Sequence, residues 1–200
     1  MADAGGRGRA NQKGRTRKDL LRAASRLMQA GRSPSLEEVA EEAMVSRATA
    51  YRYFPGVEAL LTEAALDVAM PDGETFFADH GAEEPLERLL RADAAVAEMI
   101  RANEPALRAM LIHSLQRGLA EGGALPVRQN RRTPLIEAAL APARSGFAPW
   151  AHDRLVKALA LVIGTESMIA FRDVLRIGDD DADAVRRWMI RTLVEAARRA

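Results

Sequence analysis

The apolar residues in the N-terminal quarter of the chain follow helical spacing. They recur at intervals of three and four positions, as Leu20, Leu21, Ala24, Leu27 and Met28. Thr16 followed by Asp19 forms a capping pair before this stripe, and Gly31 supplies a stop after it. The pattern predicts a first helix that begins near Thr16 and ends at Gly31.

Two short helices joined by a tight turn are predicted next. Ser35 followed by Glu38 is a capping box, in which a hydroxyl and a carboxylate satisfy backbone amides at the start of a helix. Residues 44–45 provide the turn. Ser46 caps the following helix, which ends before Pro55 because proline has no amide hydrogen to continue the helical ladder.

The rest of the chain also reads as helices. A fourth helix has an inward stripe composed of Val57, Leu60, Leu61, Ala64 and Val68. Beyond Gly73, apolar residues keep helical spacing over Leu86 to Ile100, Leu107 to Leu119, Leu135 to Leu140, about 151–177 and about 181–199. No alternating strand pattern flanked by hairpin turns occurs. The sequence therefore predicts an all-α protein.

The composition is that of a globular protein. Hydrophobic residues make up 48% of the 200 residues, which is enough apolar surface to offset the entropy of ordering the chain. The absence of Cys excludes disulfides, thiolate nucleophiles and Cys-based metal sites. The start is polar and basic, and the longest uncharged apolar run, 158–163, is too short to span a bilayer. We expect a cytoplasmic protein with no membrane partner.

The net charge of +1 conceals an asymmetry along the chain. Residues 1–54 hold 11 Lys and Arg against 6 Asp and Glu, whereas the remainder is acidic. The cations of residues 1–18 are Arg7, Arg9, Lys13, Arg15, Arg17 and Lys18, and within that range only Asp3 opposes them. This start is read either as a flexible basic arm that contacts a polyanion or as a solvated tail that keeps the protein soluble.

The two short helices have the arrangement of a helix-turn-helix, in which the second helix offers its N-terminal end to the major groove. Ser46 and Thr49 can seat a phosphate at that end, where backbone amides are unpaired. The guanidinium groups of Arg47 and Arg52 can reach guanine bidentately. Tyr51 and Tyr53 can donate to phosphates, whereas Phe54 is assigned to the core. The alternative is an ordinary helical hairpin, which occurs in many bundles.

This segment resembles the TetR family of one-component transcriptional repressors. The resemblance is carried by Leu36-Glu-Glu-Val-Ala40, by the run from Ala43 to Phe54, and by Glu58-Ala-Leu-Leu61. It implies an all-α homodimer with a three-helix DNA-binding head, a larger C-terminal domain that binds a small molecule, and dimerisation through the last two long helices. We divide the chain accordingly into a flexible basic arm (1–15), a helix-turn-helix domain (16–70) and a helical ligand-binding and dimerisation domain (71–200).

The resemblance and the basic arm together predict the residues that touch DNA. They are Arg15, Arg17, Lys18, Ser35, Ser46, Arg47, Ala48, Thr49, Tyr51, Arg52 and Tyr53. The sequence also departs from the family pattern. Met44 stands in the turn where glycine is common, Ala50 replaces a larger apolar residue, and Val57 stands where the family typically has a lysine that contacts a phosphate. The basic arm is expected to substitute for that lysine.

An enzyme is not indicated. The histidines His80, His113 and His152 are widely separated, and no phosphate loop or nucleophile elbow occurs. The acidic run 179–181 lacks the ligand spacing of a calcium site and is read as acids that complement a helix start. We expect no cofactor and no metal.

The C-terminal half has polar or adaptable residues within its apolar stripes, which suggests a pocket between helices. The predicted ligand-binding residues are Met110, His113, Gln116, Trp150, Glu166, Met168 and Phe171. Gly164 within a helical pattern indicates either a close helix approach or a kink. The favoured reading is a repressor that binds a palindromic operator and is released by a small, mostly apolar effector; the alternative is a helical ligand-binding or scaffold protein that does not bind DNA.

Overall fold

The computed structural model describes residues 4–79, 84–120 and 130–200, with side chains from residue 14 onward except at 113 and 117–120. The described residues are helical and include no strand, which confirms the all-α prediction. The chain divides into two compact units. Unit 1 is Met1–Ala69 with Pro105–Gln129, and unit 2 is Met70–Glu104 with Asn130–Ala200. Residues 105–129, assigned from the sequence to the C-terminal domain, thus go with unit 1.

The helices follow one another along the whole described chain. In order they are α1 (Ala4–Gln29), α2 (Leu36–Glu42), α3 (Arg47–Tyr53), α4 (Val57–Ala69), α5 (Gly73–Phe76), α6 (Pro85–Ala102), α7 (Glu104–Ala120), α8 (Arg132–Leu140), α9 (Pro149–Val162), α10 (Thr165–Ile169) and α11 (Asp179–Arg198). A 3-10 turn, Ala141–Gly146, follows α8, and a π-helical segment, Ala170–Leu175, follows α10.

A single apolar core holds α1 to α4 together in unit 1. The side chains of Leu20, Phe54 and Leu60 are completely enclosed in it or nearly so, which confirms that Phe54 is a core residue. Val68, predicted to face inward on α4, is exposed instead, and Glu63 on the same helix is buried. We call the assembly of α1 to α4 the head.

The first helix begins much earlier than its apolar stripe. It starts at Ala4, so the predicted flexible arm (1–15) is helical from Ala4 onward, and Thr16 lies within the helix rather than at its start. Once α1 is anchored by Leu20 and its neighbours, each added turn needs only propagation, which is far easier than nucleation. No proline interrupts the sequence before Pro34. Residues 1–3, with Asp3, lie outside the described residues.

Unit 2 has its own core, built from α6, α8, α9 and α11. Leu89, Ile136, Leu159 and Ile190 lie in it with no exposed surface. Arg88 is also buried: its guanidinium donates to the carbonyl oxygens of residues 138 and 139 at the end of α8, at 2.9 and 3.1 Å. These carbonyls have no partner within their own helix, so a buried cation satisfies them.

The single helix predicted over about 151–177 is wrong, because the chain breaks at Gly164. Arg132 explains the break: its guanidinium donates to the carbonyl oxygen of Ala160 at 2.7 Å and to the Glu166 carboxylate at 2.5 Å. A Cβ at residue 164 would lie 2.7 Å from the guanidinium carbon, so Arg132 would have to move to admit a side chain there. The kink predicted at Gly164 is therefore confirmed, whereas its close neighbour is an arginine side chain rather than a second helix.

A buried ion pair joins α6 to α11 within unit 2. Nε of Arg186 donates to the Asp93 carboxylate at 2.9 Å, and both side chains are less than a tenth exposed. Burial raises the pKa of Asp93 above its usual value, and the charge of Arg186 acts in the opposite direction. Asp183 also accepts from Arg186, at 2.5 Å, so two acids surround one buried arginine.

Candidate nucleic-acid interface

The second helix of the helix-turn-helix, α3, begins as the sequence predicts. Ser46 is its N-cap, and the Ser46 hydroxyl accepts from the backbone amide of Thr49 at 3.1 Å. The hydroxyls of Ser46 and Thr49 also bond to each other at 2.8 Å. Ala50 points into the core, whereas Arg47 and Ala48 are exposed. The N-terminal end of α3 thus presents backbone amides, two hydroxyls and a guanidinium to the outside.

The turn before α3 is a tight helix ending of a known type. The amide of Met44 donates to the carbonyl oxygen of Glu41, and the amide of Val45 donates to that of Ala40, both at 2.9 Å. This is the Schellman pattern, which requires a left-handed residue at its centre. Met44 is that residue, with φ 56°.

Tyr51 is half exposed on α3, and its hydroxyl already has an acceptor. It donates to the Glu37 carboxylate of α2 at 3.0 Å. This hydrogen bond raises the pKa of Tyr51 above its usual value, because ionising the hydroxyl would place two negative charges side by side. The hydroxyl is therefore an intact donor that Glu37 already occupies, so a phosphate has to displace this carboxylate to make the predicted contact.

Ser35 caps the start of α2. Its hydroxyl accepts from the amide of Glu38 at 3.2 Å, and its own amide donates to the Glu38 carboxylate at 2.8 Å, so the predicted capping box is confirmed. The second of these bonds lowers the pKa of Glu38, which therefore stays ionised. The carboxylate is also ion-paired with Arg32 at 2.5 Å, so Ser35 has a capping role and its phosphate contact stays a prediction.

Arg17 is likewise a structural residue rather than an exposed cation. Its guanidinium ion-pairs with Glu63 of α4, donates to the carbonyl oxygen of Tyr53 at 3.2 Å, and lies 4.3 Å from the centre of the Phe54 ring. The Glu63 side chain is 5% exposed. Arg17 thus ties the C-terminal end of α3 to α1 and α4. Sequence reasoning took it for part of the basic arm because nothing in a charge pattern shows burial.

The remaining predicted contacts differ in exposure. Arg15 and Lys18 are exposed on α1, as an arm that contacts DNA requires. Arg52 is exposed and lies 5.5 Å from the centre of the Tyr53 ring, whereas Tyr53 packs partly against the core of the head. The side chains of Arg7, Arg9 and Lys13 lie outside the described residues.

The described residues offer no competing kind of site. None of their His, Asp and Glu side chains form a group of three or more that could hold a metal ion. No helix in the described ranges is long and apolar enough to cross a membrane. His152, one of the three histidines, is buried and stacks edge-on with Phe147, so it belongs to the core of unit 2.

Comparison with known proteins agrees with this geometry. Residues 20–64 match the family model described as bacterial regulatory proteins, tetR family. The N-terminal domain of the chain therefore belongs to this family. The match covers α2 and α3 and most of the apolar stripes of α1 and α4, which are the elements that build the head of this TetR-family chain. No curated protein and no solved structure matches the chain.

As a TetR-family chain, the protein is a transcriptional regulator with a DNA-binding domain. Members of the family are regulators rather than enzymes. The matched residues include Ser46 and Arg47 at the exposed end of α3. The family match and the geometry thus both indicate the exposed end of α3 as the candidate site.

The predicted ligand-binding residues are divided between the two units. Met110 and Gln116 lie on α7, which goes with unit 1, and the side chain of His113 lies outside the described residues. Trp150 is half exposed, and Glu166 is ion-paired with Arg132. Met168 and Phe171 do line a common cleft within unit 2, together with residues of α6 and α11. Two of the seven predicted residues therefore share a cavity.

We expect Arg17→Ala to lower the free energy of unfolding by about 3 kcal/mol, because it leaves the Glu63 carboxylate buried without its cation. Arg26→Ala is the matched control on α1, since the Arg26–Glu42 pair is exposed on both sides and is expected to contribute at most about 1 kcal/mol. Urea denaturation measures both. Arg17→Ala combined with Glu63→Gln should recover part of the loss. If the Arg17 and Arg26 variants lowered the free energy of unfolding equally, the assignment of Arg17 as a structural residue would be contradicted.

Proposed function

We propose that the chain is a ligand-responsive repressor that binds a palindromic operator in double-stranded DNA as a homodimer, in the cytoplasm. The observation that carries the proposal is the exposed N-terminal end of α3. There, the backbone amides of a helix start, the hydroxyls of Ser46 and Thr49 and the guanidinium of Arg47 lie on one surface of a head that belongs to the TetR family.

The chemistry of that surface supports two separate roles. Some groups distinguish base pairs, and others position the head on the DNA backbone. An arginine at the start of a helix in the major groove can pair with the two acceptors of guanine, and this pairing distinguishes base pairs. Hydroxyls and helix amides bind phosphate, which carries no base information. Arg47 is accordingly the proposed reader, and Ser46, Thr49 and Tyr51 position the head on the backbone. The exposed Arg15 and Lys18 add sequence-independent attraction.

We expect Arg47→Ala to reduce affinity by about 1–3 kcal/mol and to relax the preference at one base pair, whereas Tyr51→Phe should weaken all sequences alike. The preferred duplexes come from selection out of random DNA, and titrations at several salt concentrations give the affinities. Binding should fall steeply with salt because the contacts release counterions. Arg154→Ala, an exposed arginine of unit 2, is the control and should change nothing.

Two results would contradict the DNA-reading proposal. One is equal affinity for unrelated duplexes at physiological salt. The other is a flat salt response, which would favour a ligand-binding or scaffold protein whose helical hairpin does not bind DNA.

Exposed apolar side chains on two neighbouring helices support the homodimer. Leu161 of α9 and Trp188 of α11 are more than 60% exposed, and α9 and α11 pack against each other within unit 2. Large apolar side chains exposed on two packed helices are candidates for a surface that a partner covers. Leu159 and Ile163 fill the chain's own core and are not part of this exposed surface. A two-fold pairing of α9 and α11 buries the exposed face in both copies.

Trp188→Glu is expected to convert the dimer to monomers, because a carboxylate facing its own copy across a two-fold axis is both desolvated and repelled. Sedimentation equilibrium measures the change. Glu98→Arg alters the charge at an exposed position on α6, outside the proposed interface, and should leave the dimer intact. A Trp188→Glu chain that sediments as a dimer places the interface elsewhere.

The cleft of unit 2 supports an effector that is small and mostly apolar. Its apolar wall consists of Val96, Ala97, Ile100, Met168 and Phe171. Its volume of about 30 Å³ holds two or three water molecules, so an effector has to open it further. Met168 and Phe171 lie on the segments that follow the break at Gly164, so this wall is not continuous with α9. A ligand that favours the opened cleft shifts the chain toward that state.

A molecule that stabilises the chain in a thermal-shift screen of small apolar compounds should weaken DNA binding about 5–150-fold, and DNA should weaken its binding by the same factor. Phe171→Leu should reduce the thermal shift. Leu175→Ala is the control, because Leu175 is exposed on the same segment and does not line the cleft. A ligand that leaves DNA affinity unchanged would make the protein a constitutive repressor.

A further inference from the structure

Met44 has a backbone conformation that its side chain disfavours. Its φ is 56°, and only Arg176 shares a positive φ among the non-glycine residues that the structure describes. In this left-handed region the Cβ crowds the following carbonyl oxygen, so the conformation is routine only for glycine and, less often, for Asn and Asp. Methionine has neither the freedom of glycine nor a short polar side chain that bonds locally.

The same head shows how this kind of turn is made without strain. At the end of α1, Gly31 has φ 75°; its amide donates to the carbonyl oxygen of Met28, and the amide of Arg32 donates to that of Leu27. This is the same Schellman pattern that Met44 completes at the end of α2. One helix end of the head therefore uses glycine, and the corresponding end uses methionine.

Packing within the chain does not offset the strain at Met44. The Met44 side chain is 91% exposed, whereas Val45 beside it packs partly against the core of the head. A large apolar side chain held in water at a strained position is a feature that folding alone does not explain. Local strain of this kind often serves a functional contact.

The position of Met44 identifies the surface it serves. Ser46, the N-cap of α3, lies two residues further on, and two residues span at most about 7 Å. The unbranched methionine side chain is long and flexible enough to cover a neighbouring apolar group. Met44, Ser46, Arg47 and Ala48 are all exposed around the end of α3 that is offered to DNA.

We propose that Met44 is a DNA-contacting residue that packs its thioether side chain against an apolar group beside the bases read by Arg47. The major groove presents one such group, the methyl of thymine, and the edge of the groove presents the deoxyribose. The inference rests on the proposed DNA-binding function. The proposed contact buries the exposed side chain of Met44 against DNA. Glycine would relieve the strain in the turn but has no side chain to make this contact.

The test compares stability with affinity in three variants of the full chain. Met44→Gly and Met44→Asn relieve the strain and remove the apolar group, and should raise the thermal midpoint by about 1–3 °C. Both should bind the duplexes that the wild-type chain selects from random DNA about four- to fifteenfold more weakly per head. Met44→Leu keeps an apolar side chain and should keep the affinity. A residue with only a structural role would move affinity and stability in the same direction.

Uracil in place of thymine in the selected duplexes distinguishes the two apolar partners. A loss of wild-type affinity that Met44→Gly does not show identifies the thymine methyl, and equal binding of both duplexes identifies the deoxyribose. Gly31→Ala is the control, because it introduces strain into the matching turn and should lower stability without changing affinity. Met44→Gly and Met44→Asn chains that bind as tightly as the wild type overturn the inference alone, whereas a wild-type chain that selects no duplex overturns the proposed function itself.

Discussion

The second helix of the helix-turn-helix, α3, is too short to be stable on its own. A helix of 7 residues, as α3 is, lies well below the length of about 12–15 residues at which an isolated helix is even marginally stable. Its conformation is imposed by its surroundings. Ser46 caps one end and Ala50 anchors the underside. At the other end Arg17, whose guanidinium lies over the Phe54 ring, donates to the carbonyl of Tyr53. Whatever α3 presents to DNA therefore depends on how firmly α1 and α4 hold it.

The parts of the head that the sequence predicted are those set by local chemistry. The capping box at Ser35, the N-cap at Ser46 and the buried Phe54 each follow from a residue type and its immediate neighbours. The Arg17–Glu63 pair could not be predicted in this way. Its partners lie 46 positions apart, and in a charge pattern each is indistinguishable from a solvated surface residue. Arg17 was therefore counted with the basic arm, and Glu63 was not counted at all.

In unit 2 the sequence predicted which segments are helical more accurately than it predicted where each helix ends. Apolar residues keep helical spacing from Leu155 to Phe171, so periodicity alone joins α9 to the segments after it. The break depends on Arg132, which belongs to α8 and reaches across to the carbonyl of Ala160. A side chain from a distant element decides where the helix stops. The grouping of Met168 with Phe171 survived the break because the two residues lie on the same side of it.

The hydrogen bond between Tyr51 and Glu37 has a consequence for the kind of anion that the head accepts. The carboxylate already occupies the hydroxyl, so it acts as an internal rival of any incoming phosphate. A single mobile ion has no other attachment with which to displace it. A phosphate in a duplex is held in position by the rest of the strand. It can therefore displace the Glu37 carboxylate and remain bound. Under the proposed function, the pair thus favours anions presented on a rigid scaffold.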